Sequence, residues 1–594
     1  MLLVLLAGPA NLLMAQETTG AIAGTVMDAS GGLVPGAKVE AASSTLVRPM
    51  AVTTGADGAY AFLTLPPGSY TLTVTAAGFR TLKQPGIEVR VGRQLRSDLK
   101  LEVGQVTESV VVTGEAVIVD TAQSTSAVNV NQNLFDRIPK GRSFDSLIAL
   151  APGARYEPRG GGTGYLIDGA SSAENIYVVD GLDVTNLQTG DLPSQSRLPT
   201  EFIQELQIKS SGFDAQYGGA MGGVVNAIIR SGSNDFHGEG ALYLATDGAN
   251  AGPRPTLRLD PFNDNQANYF HNSRDGYRLF NPGASLGGPI KKDKLWFFAS
   301  YFPELRKYER TVTFLSGAKP TGTYTRNEKN DYLTAKLDVA PTSRARAYIG
   351  YLYTPTKVNG LLPSRQGTDA FSSPWADLGS RSPSASVTFG GDYNFTSKLL
   401  ASVRGGYNYR NRKDYGIPAG AYLRYMAPNT AIAGIPDALR GPSGNFTTNN
   451  RQTVKDIQTR WRLNTDLSYL FNAGGQHNLR IGYETNRLHN EPFASTWPDG
   501  YFLFYWGRSR QGITVPGTMT GKYGYFIYRF FATEGNVASN NTGFFFQDQW
   551  RVTKRLTLNL GLRTEREFLP SFKVADNIPS RAIEFGFGSK LAPR

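Results

Sequence analysis

Apolar and polar residues alternate strictly along much of the second half of the chain. The clearest case is a pair of segments, 461–469 and 478–484, that flank a Gly-rich turn. A period of two places successive side chains on opposite faces of a β-strand. In the first segment one face carries Trp461, Leu463, Thr465, Leu467 and Tyr469, and the other carries Arg462, Asn464, Asp466 and Ser468. An apolar face towards lipid and a polar face towards a wet lumen are typical of a transmembrane β-barrel hairpin.

The same unit recurs along the second half of the chain. Hairpins are predicted at 333–353, 385–409 and 544–562, and a less regular one turns at 291–294. The joins between them, such as 354–383, are long and polar, and we expect them to be loops. Short turns on one rim and long loops on the other are typical of outer-membrane barrels, where they face the periplasm and the outside respectively.

Composition favours a mainly β protein. The chain has 594 residues, including 66 Gly, 29 Tyr and 32 Phe, a mixture that suits turns and aromatic girdles better than helix packing. Apart from the N-terminus, no apolar run approaches the roughly 18 residues of a membrane-spanning helix. The mean hydropathy of -0.29 is what half-polar strands produce.

Several kinds of chemistry are disfavoured. The absence of Cys excludes disulfides and thiolate metal sites, and the formal charge of +12 is dispersed, which argues against nucleic-acid binding. A Gly-x-Ser-x-Gly match at 283–287 lacks the helix that follows a nucleophile elbow. No metal-binding motif begins at any of the four histidines, which are His237, His271, His477 and His489. The sequence therefore predicts no catalytic residue, no cofactor and no metal.

The first 15 residues are largely apolar and end in the small residue Ala15. This pattern predicts a secretory signal peptide at 1–15, with the mature chain beginning near Gln16. The segment lacks the usual Lys or Arg at its start, and it is too short to span a membrane as a helix. Export is the expectation.

Turn-forming steps at regular intervals mark a compact β domain at 16–101. Pro-Gly, Asp-Gly and Pro-Gly steps at 35–36, 57–58 and 67–68 separate short alternating strands. The segment resembles the carboxypeptidase regulatory-like domain, a prealbumin-like β-sandwich that is also grouped with carbohydrate-binding folds. The resemblance implies no peptidase activity, because zinc ligands are missing. Glycan binding and a purely structural spacer both remain open.

A short β-branched run lies in the linker 102–116. It consists of Glu108, Ser109, Val110, Val111, Val112 and Thr113. An isolated strand has free edges that seek a partner strand. The run resembles the TonB box of TonB-dependent outer-membrane transporters, which implies strand addition to the periplasmic TonB protein and its proton-driven inner-membrane complex. The alternative is an ordinary first strand of the next domain.

The segment 117–232 carries the strongest motifs of the chain, at 138–144, 177–182 and the Gly-rich stretch 213–234. Clustered Gly permits the close backbone approach that a plug inside a barrel needs, and the apolar run 224–229 predicts a buried strand. These motifs resemble the α/β plug domain of TonB-dependent receptors, most closely an Oar-like branch.

By the same resemblance, the Gly run at 160–162 lies near the plug apex and faces the outside. The candidate ligand contacts beside it are Arg155, Tyr156, Arg159 and Tyr165, with solvated loop residues as the alternative. The Asp180 and Gly181 pair is interpreted as a turn and not as a catalytic acid. The ligand stays open, because siderophore, glycan, peptide and cobalamin receptors share this scaffold.

Residues 233–594 are predicted to form the N-terminal half of the barrel. We count about eleven strands there, whereas a plugged transporter barrel has about 22. Half a barrel leaves two unpaired strand edges in lipid, each at a large cost in unsatisfied backbone groups. We therefore expect a fragment or truncated product that closes no pore on its own.

The predicted fold class is mainly β, with an N-terminal prealbumin-like β-sandwich, an α/β plug domain and a partial antiparallel transmembrane β-barrel. The implied function is energised, non-catalytic uptake of an unidentified ligand across the outer membrane of a Gram-negative bacterium, with the N-terminal domain in the periplasm. The implied partners are the TonB protein, outer-membrane lipid and an extracellular ligand such as a glycan, siderophore or peptide. A surface adhesion or glycan-binding protein without transport is the alternative.

Overall fold

The computed structural model shows a chain built mainly of β-strands. It describes residues 18–43, 45–46, 49–104, 109–111, 125–159, 162–252, 254–260, 263–270, 274–315, 320–369, 371, 373–396, 398–425, 444–445, 451–506, 524–553 and 556–568. The predicted signal peptide lies outside these ranges. Within them, no helix has both the length and the hydropathy that a membrane-spanning helix requires.

The first unit is a sandwich of two β-sheets around one apolar core. Its strands are β1 (Gly20–Asp28), β2 (Lys38–Ala42), β3 (Met50–Thr53), β4 (Ala59–Leu65), β5 (Gly68–Thr75), β6 (Thr81–Val89), β7 (Gln94–Arg96), β8 (Leu99–Leu101) and β9 (Ser109–Val111). In one sheet β1 pairs with β4, β7 and β8, and the other has the order β3-β2-β5-β6-β9. Alternate residues of β5, namely Tyr70, Leu72 and Val74, are buried in the core. The predicted β-sandwich is confirmed.

The second unit lies where the plug was predicted, and it is called the plug below. It is a small mixed sheet with its own core. Its elements are β10 (Ser126–Asn131), α1 (Gln132–Phe135), β11 (Ala154–Arg159), β12 (Gly162–Ile167), β13 (Ile176–Val179), β14 (Leu182–Asp183), β15 (Ile203–Ser211) and β16 (Val224–Ile229). The sheet order is β10-β15-β16-β13-β14, and β11 and β12 form a separate hairpin. Every residue of β16 is buried, as its apolar run predicts. Helix in the described part of this unit is confined to α1 and short 3-10 segments, so loops make most of the connections.

The third unit is one large sheet that curves around the second and is antiparallel except at one pair of strands. Its elements are β17 (His237–Thr246), β18 (Thr256–Asp260), β19 (Asn263–Phe270), β20 (Gly276–Lys291), β21 (Leu295–Tyr301), β22 (Glu304–Thr313), β23 (Thr321–Asn330), β24 (Leu333–Val339), β25 (Ala345–Tyr353), β26 (Thr356–Asn359), β27 (Gly379–Ser382), β28 (Ser384–Asn394), β29 (Leu399–Arg410), β30 (Lys413–Tyr415), β31 (Tyr422–Tyr425), β32 (Gly444–Asn445), β33 (Arg451–Asn472), β34 (Gln476–Trp506), β35 (Gly524–Glu534), β36 (Val537–Thr553) and β37 (Leu556–Arg566). β18 and β19 pair only with each other in the described part, and the other strands form the sheet.

The large sheet is apolar outside and polar inside. On β33, Trp461 and Tyr469 are exposed whereas Arg462 and Asp466 are buried. A sheet that packs on a soluble core shows the reverse arrangement, so this inversion marks a lipid-facing exterior and a polar lumen. Thr465 belongs to the outer face by its period but is fully buried.

Two different rims bound this sheet. On the short-turn rim, strands separated by only a few residues pair with each other, and these pairs are the five hairpins predicted from alternation: β20 with β21, β24 with β25, β28 with β29, β33 with β34 and β36 with β37. On the opposite, long-loop rim, strands continue as extensions such as β22, β23, β26 and β27. The expectation that 354–383 is wholly loop is therefore wrong, because β26 and β27 pair there as a short strand extension.

The large sheet is open in the described part of the chain. The strands that reach the short-turn rim are β17, β20, β21, β24, β25, β28, β29, β33, β34, β36 and β37. β17 and β37 form the two ends of the sheet and do not pair with each other among the described residues. The partial antiparallel barrel predicted from the sequence is confirmed.

The sandwich contacts the short-turn rim and the lumen wall. Asn472, the last residue of β33, donates to Asp57 at 2.9 Å. Deeper in the lumen, Arg404 binds both oxygens of Asp392 and also donates to the Thr18 hydroxyl at 2.9 Å. The N-terminal unit thus lies at the mouth opposite the long loops.

Candidate functional site

A two-residue turn at Asp180 and Gly181 joins β13 to β14. Both residues have positive φ, 45° and 83°, which is the type I′ geometry that Asp-Gly steps favour in hairpins. The interpretation of this step as a turn is confirmed. The hairpin brings two carboxylates, Asp180 and Asp183, against the inner face of the large sheet.

Asp180 forms a buried ion pair with Lys336 of β24. Lys336 Nζ lies 3.0 Å from Asp180 Oδ2, and 5% and 1% of the two side chains are exposed. The second carboxylate oxygen accepts from the Ile229 N–H at 2.9 Å, and the Tyr348 hydroxyl donates to the Asp180 carbonyl at 2.9 Å. A buried charge is tolerated when it is both paired and hydrogen-bonded, and this carboxylate meets both conditions.

Asp183 lies between two arginines of β33. One carboxylate oxygen contacts Arg460, and the other is 3.7 Å from Arg462 Nη1. Burial alone would raise the pKa of Asp183, but the two guanidinium groups outweigh it and hold that pKa below its usual range. Together with the first ion pair these residues form what we call the plug anchor: Asp180, Asp183, Lys336, Arg460 and Arg462.

A second contact joins the loop after β15 to the last described strands. The Ala215 N–H donates to Gln547 at 3.1 Å, and Arg563 donates to the Ala215 carbonyl at 3.3 Å. A Cβ added to Gly218 would lie 1.8 Å from a carboxylate oxygen of Glu565. The missing side chain therefore lets this backbone approach β37, as the clustered Gly predicts.

The sandwich is attached to the plug through the backbone of Val91. Its N–H donates to Glu205 at 3.1 Å, and its carbonyl accepts from Asn129 at 3.1 Å and from Gln207. Asn129 also donates to Glu205 at 2.6 Å. Burial raises the pKa of Glu205 to about 7, and this effect outweighs the hydrogen bonds from Asn129 and Val91, which lower the pKa. A buried, titratable carboxyl group thus lies at the junction of the two units.

Towards the long-loop rim, a cavity of about 700 Å³, here called the vestibule, opens between plug segment 186–197 and strands β29 and β33. Its lining is polar or charged except for Leu192 and Pro193. Arg410 is buried there and donates to Gln458 at 3.0 Å, while its Nε has no hydrogen-bond partner among the described residues. The polar lining of the vestibule suits water or a ligand that forms hydrogen bonds.

The four predicted ligand contacts lie on the hairpin of β11 and β12. Arg155 and Tyr156 are exposed on β11. Tyr165 lies opposite Tyr156, with ring centroids 6.0 Å apart in an edge-to-face contact, but it is only 8% exposed. Tyr156 therefore presents its ring to solvent, whereas Tyr165 packs into the plug core. Arg159 ends β11, and its side chain lies outside the described part.

The predicted TonB box falls only partly within the described residues. Ser109, Val110 and Val111 form β9, while Glu108, Val112 and Thr113 lie outside the described ranges. β9 runs parallel to β6 and is the terminal strand of a sandwich sheet. The segment expected in a free linker is thus paired with the preceding domain.

The plug anchor was not predicted from the sequence. Lys336 and Asp180 are 156 positions apart, and nothing local links them. Alternation does place Lys336, Arg460 and Arg462 on the lumen face, and the acidic hairpin turn is visible in the plug segment. An inward cation opposite an acidic plug turn was the available signal.

The enzyme-like features take no catalytic form in the described part. Ser285, centre of the Gly-x-Ser-x-Gly match, lies within regular strand β20, and its hydroxyl donates to Glu239 at 3.2 Å. No cluster of His, Asp or Glu with metal-binding geometry occurs among the described residues.

An inverted sheet with a polar lumen, filled by a plug held through ion pairs, defines an outer-membrane receptor. Family models agree: Outer membrane beta barrel domain matches residues 228–321 and 311–578, TonB-dependent Receptor Plug Domain matches 118–224, and Carboxypeptidase regulatory-like domain matches 21–102. The chain belongs to the TonB-dependent receptors of the outer membrane. The resemblance found in the sequence is confirmed.

The chain is also similar to a named transporter. It is 29% identical over 637 aligned residues to the TonB-dependent transporter Oar of Myxococcus xanthus, an alignment that covers 93% of this chain and 58% of that protein. The chain thus spans less than two thirds of the length of this relative. TonB-dependent transporters are not enzymes.

A solved outer-membrane transporter has the same fold. The outer membrane transporter YddB of Escherichia coli matches with a TM-score of 0.53 and 13% identity, over 74% of this chain and 56% of that one. The ferric enterobactin receptor of Pseudomonas aeruginosa matches with a TM-score of 0.47 and 13% identity, over 75% of this chain and 58% of that one.

Proposed function

We propose that the protein takes up a ligand across the outer membrane with energy delivered by a TonB protein. The observation that carries this proposal is the plug anchor, because it holds the plug in the lumen by ion pairs and hydrogen bonds. Polar contacts of this kind can be exchanged for water when a plug moves, whereas an apolar interface would have to expose its surface. Residues 108–113 are the proposed TonB box, and the pull on them shifts the plug.

The vestibule supports a hydrophilic ligand. Its near-complete polar lining suits a molecule rich in hydrogen-bonding groups, while an apolar ligand would leave the lining groups unsatisfied. Arg155 and Tyr156, exposed on the plug hairpin, are proposed as further contacts at the apex, together with Arg159 and Tyr165 of the same hairpin.

Binding of a TonB protein's periplasmic domain tests the proposed box. The purified full chain in detergent should bind that domain in calorimetry, and deletion of 108–113 should weaken binding by at least about tenfold, which corresponds to about 1.4 kcal/mol. Val110→Pro removes a backbone donor and should reproduce the loss, whereas Val110→Thr keeps a β-branched residue and should bind normally. Equal binding by all four proteins would contradict the proposed role of the box.

A surface-adhesion role has less support. The sandwich that would bind glycans contacts the short-turn rim, opposite the long loops. Deletion of 108–113 separates the two functions, because adhesion needs no TonB protein and energised uptake does.

A further inference from the structure

Three residues of the proposed TonB box already belong to a sheet. Ser109, Val110 and Val111 pair in parallel with Thr81, Leu82 and Lys83 of β6. β9 is the last strand in the order β3-β2-β5-β6-β9, so one of its backbone edges is bonded to the sandwich.

The chain before β9 is also tied to the sandwich. The Arg80 N–H donates to the Glu102 carbonyl at 2.9 Å, and the Gly104 N–H donates to the Gly78 carbonyl at 3.1 Å. β9 begins at Ser109, which pairs with Thr81, the residue that follows Arg80. The described chain up to Gly104 and β9 itself therefore both lie beside the start of β6.

The direction of β6 determines where a pull on the box would act. β6 ends at Val89, next to the Val91 contact with the plug, and β9 runs the same way before the chain enters the plug at β10. While the two strands are paired, the box is held by the sandwich, and a pull on the box can reach the plug only after β9 has left β6.

We infer that the β6 edge of the sandwich holds the TonB box and competes with the TonB protein for it. The inference rests on the proposed role of residues 108–113. Recognition by strand addition uses backbone groups of the box, and three of its residues are engaged at β6. Release of β9 from β6 then precedes movement of the plug, so the sandwich is a gate on energy transfer and not only a spacer.

A reversible disulfide between β6 and β9 tests this competition. The chain contains no Cys, so Lys83→Cys with Val111→Cys introduces the only two thiols. These positions are paired in the register, and neighbouring strands lie about 4.8 Å apart, within the span that a disulfide bridges. The reduced double variant is the matched control, because it carries both substitutions without the covalent bond, and Lys83→Cys alone controls for the effect of the oxidant.

Mild oxidation of the full chain should form the disulfide, reduce binding of the TonB domain by at least about tenfold, and allow recovery after reduction. Failure of the disulfide to form would overturn the pairing. A disulfide-linked chain that binds normally would overturn the competition and show that the box is presented by its free edge. If the wild type and the 108–113 deletion bind the TonB domain equally poorly, the proposed function itself fails. This outcome is distinct from a disulfide that does not form and from a linked chain that binds normally.

Discussion

Buried charges hold the three units together at the scale of single residues. Asp180 and Asp183 are stabilised by cations of the lumen wall, whereas the described contacts of the Glu205 carboxyl group are hydrogen bonds from Val91 and Asn129. Paired and unpaired carboxyl groups respond differently to pH and to substitution, because the cost of burying a charge is offset only in the first case.

The attachment of the sandwich to the plug should weaken as pH rises. The pKa of Glu205 is about 7 when buried against an ordinary value of 4.5, so docking favours the protonated form. Its contribution, about 3 kcal/mol, is fully present below about pH 4.5 and is lost as pH rises through about 7. Amide hydrogen exchange at Val91, corrected for the intrinsic effect of pH, should show protection falling over this range. Glu205→Gln should make the protection independent of pH, and an unchanged decline in that variant would refute the assignment.

Removal of one anchor carboxylate should loosen the plug. Asp183→Asn leaves Arg460 buried without its anionic partner, which typically costs about 3–5 kcal/mol. Urea titration of the full chain in detergent, with tryptic cleavage of the plug as the readout, should show a lower midpoint. Asp57→Asn changes a more exposed carboxylate on the sandwich and should shift stability by less than about 0.5 kcal/mol. Equal midpoints for the two variants would show that the ion pair does not hold the plug.

At the scale of elements, the sequence predicted features that depend on neighbouring residues, and it did not predict contacts between distant segments. The five hairpins followed from alternation, because a period of two depends only on neighbouring residues. The turn at Asp180 and Gly181 was likewise local. The pairing of β9 with β6 and the anchor to Lys336 join separate segments, and the same local sequence fits a free linker or an ordinary lumen residue. The extension formed by β26 and β27 was missed because its polar residues resemble a loop.

Gly232 packs closely against the backbone of β21, which is distant in the sequence. A Cβ there would lie 2.3 Å from the Phe297 carbonyl oxygen and 2.9 Å from the Phe297 amide nitrogen, so the backbone of β21 would have to shift. Gly232→Ala should lower the free energy of unfolding by about 1–3 kcal/mol through this overpacking. Gly252→Ala meets open space and should cost less than about 0.5 kcal/mol. Thermal unfolding in detergent measures both, and equal stability would argue against close packing at Gly232.

At the scale of the whole molecule, the two rims and the position of the sandwich define an orientation. The sandwich contacts the rim of short turns, while the vestibule opens towards the long loops. In an outer-membrane barrel short turns face the periplasm, so the proposed ligand entry and the proposed TonB recruitment lie on opposite sides of the plug. This separation is the basis of the proposed uptake, because a pull on one side must act on a ligand held on the other.

Single-cysteine labelling in intact cells tests this orientation most directly. Gly252→Cys lies on the long-loop side, and Lys38→Cys lies on the exposed surface of the sandwich. A maleimide on a polymer too large to cross the outer membrane should label Gly252→Cys in intact cells, and Lys38→Cys only after the outer membrane is permeabilised. Labelling of Lys38→Cys in intact cells would place the sandwich outside and would contradict a TonB-driven receptor.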